Sequence, residues 1–234
     1  MEKFKDIQHR AAERKGGKKA LAYLISQPLS AKQIAGIHED LWLEEFTRKI
    51  FQSGFYWSVI NNKWPGFREV FWNFNVSKLL MMSSEMLEEK SADERIVRNY
   101  TKVKTIPINA SMVHFSSKEK SKNFGQFIAD WPTNDIVNLW AWLKKNGARL
   151  GGNTGQYALR AMGKDTFILS RDVEAYLRAH NHIEGGLQSK KSLNAAQAFF
   201  NEMQQQSGLS LQEISQTVSY SVGDNHVGFV NISE

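Results

Sequence analysis

The chain has 234 residues, 41% of them apolar and 23% charged, which suits one or two soluble globular domains with a buried core. It has no cysteine, which excludes disulfides and cysteine–zinc sites, and no apolar run approaching the roughly 18–20 residues that span a bilayer. The net charge of +6 is uneven: Ser192 to Glu234 holds Glu202, Glu213, Asp224 and Glu234 but no Lys or Arg, so that segment carries −4 and residues 1–191 carry +10. A basic body suits a polyanion such as nucleic acid, although a solvated surface without such a partner has the same composition. The opening stretch "MEKFKDIQHRAAERKGGKK" lacks the apolar core of a signal peptide and contains acidic residues, so a cytoplasmic protein is expected.

In chain order the pattern is almost wholly helical. Residues 2–14 read as a charged helix closed by Gly16 and Gly17, and a second runs from about Lys18 to Ser26, before Pro28. Ser30 caps a short helix, "AKQIAGI". "EDLWLEEFTRKIFQSG" carries Leu41, Trp42, Leu43, Phe46, Ile50 and Phe51 at helical period and ends at Gly54. "SVINNKW" is expected to break at Pro65-Gly66, and "FREVFWNFN" and "VSKLLMMSSEMLEEKS" read as short helices, with Met81, Met82 and Met86 as core filler. "ADERIVRNYTKVKTIPINASMVHFSSK" is a longer helical region kinked or interrupted at Pro107. "WPTNDIVNLWAWLKKNG" has a cap at Thr133 or Asn134, a buried face of Ile136, Val137, Leu139, Trp140 and Leu143, and a stop at Asn146-Gly147. Helices over 154–162, 170–180, 190–206 and 210–220 follow, and "VGDNHVGFVNISE" is expected to be loose. The expected fold is all-α: one helical domain over 1–220, compact and two-lobed, with a tail over 221–234.

"RLGGNTGQYALRAMGKDTFILSRDV", residues 149–173, combines a glycine-rich turn with a carboxylate about twenty residues on. Consecutive backbone N–H groups in such a turn, backed by a helix N-terminus, cradle an anion, and glycine keeps side chains from blocking the approach. Gly151, Gly152, Asn153, Thr154, Gly155 and Arg149 are thus candidate phosphate contacts, although such a turn also serves as a plain helix connection. Ser170 caps the following helix and places Asp172 in its first turn, where the dipole favours an ionised carboxylate. That position suits stabilisation of a developing cation, and it equally suits helix stability alone.

Three segments in order resemble the 3-methyladenine DNA glycosylase I family of the helix-hairpin-helix DNA glycosylases. "FQSGFYWSVINNKWPGFREVFWNFN" is similar to that family's Gln-Ala-Gly, two residues, Trp and Phe-rich helix. "ERIVRNYTKVKTIPINA" is similar to its Gly-Ile-Ile-Arg…Lys-Ile…Asn-Ala segment, and "RLGGNTGQYALRAMGKDTFILSRDV" to its hairpin and following helix. The match covers roughly residues 38–180, with the hairpin near 147–155.

The resemblance implies a monomeric, cytoplasmic and nucleoid-associated bacterial enzyme with no cofactor. It would flip an alkylated purine out of duplex DNA into an aromatic pocket and hydrolyse its glycosidic bond. Trp57 occupies the family's pocket-tryptophan position, with Phe55, Tyr56 and Trp42 as further pocket candidates; Trp42 and Trp64 also suit a core. The family's base-recognising glutamate lies eight residues before the tryptophan, where this chain has Lys49, which would repel a cationic base. The family's two-Cys, two-His zinc site is absent, so no metal is expected. Asp172 is the carboxylate nearest the superfamily's catalytic aspartate, and Gln156 stands near the place of the nucleophilic lysine of lyase-type members, so a monofunctional enzyme is implied. Arg98, Lys102, Lys104, Arg160 and Lys164 are further candidate DNA contacts. Two alternatives remain from the residues: a helix-hairpin-helix DNA-binding protein without the chemistry, and a helical interaction protein unrelated to DNA.

Overall fold

The structure, a computed structural model, describes residues 2–119 and 123–223. Among them all regular structure is helical and no strand occurs. No helix among the described residues is long and apolar enough to cross a membrane. The chain divides into two compact units. A terminal unit takes residues up to Pro28, Thr133–Val137 and the chain from Asp165 onward; a hairpin unit takes Leu29–Pro132 and Asn138–Lys164. Each unit is thus assembled from separate stretches of sequence.

The terminal unit contains α1 (Phe4–Arg14), α2 (Lys18–Leu24), α13 (Arg171–Ala179), α14 (Lys190–Ser207) and α15 (Leu211–Tyr220). Phe167 stacks on Phe200 at 4.1 Å, and Tyr176, Phe199, Leu211, Ile214 and Val218 are buried with them. Gln197 of α14 holds the short 133–137 segment: its Oε1 accepts from Val137 N at 3.1 Å and its Nε2 donates to Thr133 O at 3.2 Å. Asp165 caps α15 by accepting from Leu211 N and Gln212 N. The tail beyond Gly223 lies outside the described residues.

The hairpin unit contains α3 (Ala31–Ala35), α4 (Glu39–Gln52), α5 (Trp57–Val70), α6 (Val76–Leu80), α7 (Ser84–Ser91), α8 (Tyr100–Val103), α9 (Thr105–Glu119), α10 (Phe124–Asp130), α11 (Ile136–Asn146, whose first turn belongs to the other unit) and α12 (Asn153–Ala161). Helix α4 is its spine and packs on α9, α5 and α12. Trp42 is fully buried, edge-on to Phe124 at 5.6 Å, so α10, capped by Asn123 and burying Phe124, Phe127 and Ile128, closes the core over α4. Pro107 stands in the first turn of α9, where its missing N–H costs nothing, so α9 starts at Thr105 and runs unbroken past it.

Several expectations are corrected here. Helix α5 runs straight through Pro65. A proline inside a helix costs ~3 kcal/mol. The stripe Ile60, Trp64, Phe67 and Val70 is buried, at about 1.5–3 kcal/mol for each side chain, and outweighs it. "FREVFWNFN" is not one helix: α5 ends at Val70 and a 3-10 turn follows over Trp72–Phe74, with Trp72, Asn73 and Phe74 all at positive φ. "VSKLLMMSSEMLEEKS" is two helices, because Ser83 caps α7 by accepting from Met86 N at 3.2 Å. Met81 is 85% and Met86 38% exposed, so they are not core filler; Leu79 and Leu87 fill that role.

The turn between α11 and α12 is fixed from below by Asn109 of α9. Asn109 is fully buried; its Nδ2 donates to Ala148 O at 3.2 Å and its Oδ1 accepts from Ala148 N at 2.8 Å. Gly155 permits the turn to close, since a Cβ there would lie 2.5 Å from Leu150 O.

Two outcomes are expected. Asn109→Ala leaves the half-buried Ala148 peptide unit without its partner and lowers unfolding free energy by about 1–3 kcal/mol, read by urea denaturation; an unchanged midpoint would show that the clamp is idle. Pro65→Ala restores a helical N–H and raises the melting temperature, by ~1 kcal/mol or more of stability. A lower melting temperature would mean that the proline is needed there.

Candidate base-binding site and hairpin

Packing of α12 on α4 brings the first turn of α12 beside the C-terminal turn of α4 and the start of α5. Between them lies an open cavity of about 160 Å³. Lys49, Gln52 and Ser53 line it from α4, Trp57 from α5, and Asn153, Thr154 and Tyr157 from α12. The Trp57 and Tyr157 rings meet edge-on at 6.5 Å, and Trp57 remains 55% exposed although it is a large apolar ring. An exposed ring held by a half-buried aromatic partner in this way is a surface for stacking a flat ring.

Lys49 reaches into this cavity. Its ammonium lies 5.5 Å from the centre of the Trp57 ring, 3.2 Å from Glu45 Oε1 and 3.1 Å from Gln52 Oε1. Gln52 is itself oriented by donating Nε2 to Asn61 Oδ1 at 3.2 Å. Glu44, buried beneath, accepts from Trp64 Nε1 at 2.7 Å, Arg68 Nε at 2.8 Å and Arg48 Nη2 at 3.0 Å. Neither Glu44 nor Glu45 lines the cavity.

The glycine turn adjoins the cavity. Gly152, at φ +59°, precedes α12 in place of a side-chain cap, and a Cβ there would meet nothing within 4 Å, so the backbone is bare on that side. Arg149 is exposed and also at positive φ, while Leu150 is buried as the anchor of the turn. A glycine backbone left open at Gly152, an exposed arginine and a helix N-terminus form an electropositive edge suited to an anion.

The structure therefore brings Lys49, Trp57, Asn153 and Thr154 together around one cavity, with Gly151, Gly152, Gly155 and Arg149 in the adjoining turn. It places other candidates elsewhere. Trp42 is core, packed on Phe46 and Phe124. Tyr56, at the N-terminus of α5, is 85% exposed and does not line the cavity; Phe55 lies 4.6 Å from the Lys102 ammonium. Lys102 and Lys164 are buried and so are not surface phosphate contacts. Lys102 donates to Phe51 O and Ser53 O at the end of α4; burial, aided by the Arg149 charge, pulls its ammonium below the ordinary lysine range. Lys164 donates to Ala129 O and Trp131 O. Tyr157, Gln52 and Ser53 join the cavity without having been singled out; Tyr157's only signal was its place one helical turn after Asn153.

Asp172 belongs to the terminal unit. Ser170 caps α13 by accepting from Val173 N at 3.3 Å, as its position suggests. The Asp172 carboxylate is half-buried, accepts from Ser219 Oγ at 3.3 Å and faces Gly223, whose Cβ, if present, would meet Oδ1 at 2.5 Å. No group of three or more His, Cys, Asp or Glu side chains able to hold a metal occurs among the described residues.

Residues 35–149 match the profile of the methyladenine glycosylase family. No curated protein matches the chain. Among solved structures, 3-methyladenine DNA glycosylase I is 20% identical over 59% of this chain and 82% of that one, with a TM-score of 0.47. A mutant of the Staphylococcus aureus enzyme of that name gives 20%, 59%, 81% and 0.48. The Methanocaldococcus jannaschii 8-oxoguanine glycosylase/lyase, solved with a 15mer DNA containing 8-oxoguanine, is 15% identical over 91% of this chain and 95% of that one, with a TM-score of 0.53, a likeness of fold. The turn and cavity lie within or directly beside the residues that match the profile, so this region of the chain is similar to the methyladenine glycosylase family.

Proposed function

We propose that the chain is a DNA glycosylase that flips one altered base from duplex DNA into the Lys49–Trp57–Tyr157 cavity and hydrolyses its glycosidic bond without a covalent enzyme intermediate. The observation that carries the reading is the juxtaposition, within one unit, of the exposed Trp57 ring edge-on to Tyr157 and a glycine turn that is open at Gly152. The aromatic pair stacks the base, and the turn holds a neighbouring phosphate. The small cavity, set against the ~300–1,000 Å³ of drug-sized sites, suits one ring system and not a whole nucleotide. One copy of the chain carries both parts, which supports action as a monomer.

The chemistry needs water oxygen to bond to the sugar C1′ as the C1′–N electron pair leaves with the base; the proton that the water sheds goes to a base that leaves as an anion, or to solvent where the base leaves neutral. Two side chains argue against a Schiff base. Gln156, near the place of the lyase lysine, is buried, and Lys49 is ion-paired with Glu45. Asp172 is our candidate to balance the positive charge that develops on the sugar, supported by its place in the first turn of α13. A DNA-binding protein without chemistry is the second reading. It is favoured by Lys49 in the glutamate position and by the contacts that Asp172 makes with Ser219 and Gly223.

Base release from duplexes carrying single lesions separates the two. Trp57→Ala is expected to cut kcat/KM about 10- to 100-fold, the worth of one stacked base, while binding to undamaged duplex holds; equal release by wild type and variant would place the base elsewhere. Asp172→Asn is expected to cut release about 100-fold with stability nearly unchanged. Retained release with a fall in melting temperature would assign Asp172 to packing against Ser219 and Gly223.

A further inference from the structure

The cavity's own electrostatics select its ligand. Resting on the excision reading above, we infer that Lys49 makes this enzyme specific for an uncharged base bearing a ring carbonyl, and that it stabilises that base as it departs.

An ammonium has three donors. Lys49 directs one to Glu45 and one to Gln52, so one remains for a ligand stacked on Trp57. The charge is not cancelled locally. Glu44 and Glu45 face Arg48, Lys49 and Arg68, which leaves the cluster one positive charge in excess. Lys49 is its member on the cavity wall, and the other lining side chains are neutral. A base already cationic, as 3- or 7-alkylated purines are in DNA, meets a like charge there. A neutral base with a carbonyl oxygen meets a charge-assisted donor.

The same contact serves the bond cleavage. When a cationic base leaves, the C1′–N electron pair neutralises it and no help is needed. When a neutral base leaves, that pair makes it an anion, and its carbonyl oxygen carries much of the charge until a proton arrives. An ammonium fixed beside that oxygen stabilises this developing charge. Gln52, oriented by Asn61, is the positioning residue that holds Lys49 in place.

The test measures base release from duplexes carrying hypoxanthine, uracil or 8-oxoguanine (neutral, carbonyl-bearing) and 3-methyladenine or 7-methylguanine (cationic). Wild type is expected to release at least one neutral base faster than either cationic one. Lys49→Met should lower kcat on the neutral bases about 10- to 100-fold with a smaller change in KM, and Lys49→Arg should retain the wild-type order. Lys49→Glu should move the preference toward the cationic pair. Melting curves confirm that each variant is folded. Faster release of cationic bases by wild type, or Lys49→Met acting like wild type, overturns the inference alone. No release of any base by wild type overturns the excision reading and the inference with it.

Discussion

Everything at the candidate site depends on one close backbone approach. The turn after α11 is pinned by a two-way amide pair between Asn109 and Ala148, and it closes because Gly155 lets its backbone come against Leu150 O. Buried amide pairs of this kind are costly to break, since each freed group loses its partner away from water. Held so, the turn sets where α12 begins. That start, in turn, places Asn153, Thr154 and Tyr157 across the cavity from Lys49 and Trp57. The Asn-Ala pair of the central segment thus has a physical purpose, because its asparagine shapes a loop almost forty residues further along.

The second constraint is the handling of charge along α4. Four ionisable groups, Glu44, Glu45, Arg48 and Lys49, follow within two turns of one helix, and two of them are buried carboxylates. Burying them is tolerable because Glu44 gains three donors and Glu45 gains Lys49 and Arg48. The carboxylates are thereby turned into the protein and the lysine toward the cavity. Lys102 completes the arrangement from another side: its desolvated ammonium holds the carbonyls of Phe51 and Ser53, which fixes the end of α4 where the cavity opens.

Much of this was legible in the sequence, for physical reasons. Helices α4 and α13, with apolar stripes at helical period, stand where the sequence pattern puts them, because there local preference and packing agree; α11 keeps its expected buried face but starts only at Ile136, after a 3-10 turn over Thr133–Asp135. The failures are places where packing overrode a local signal. Pro65 punctuates the sequence, yet the buried stripe from Ile60 to Val70 carries the helix past it. The methionines look like filler, yet Met81 and Met86 face solvent while Leu79 and Leu87 are buried in their place. Lys102 and Lys164 look like surface cations, and only the fold shows the carbonyls that capture them. At the site, Trp57 and the glycine turn were readable from their order along the chain, whereas Tyr157, Gln52 and the aim of Lys49 depend on how α12 crosses α4.

Hydrogen exchange tests most directly whether the turn and the cavity act as one DNA-facing site. The protein would be bound to a duplex holding a non-cleavable abasic-site analogue, and amide protection compared with the free protein. New protection is expected to concentrate in two segments, residues 149–157 and 49–57. Tight binding with protection elsewhere, and none in these two segments, would contradict a single site built from turn and cavity.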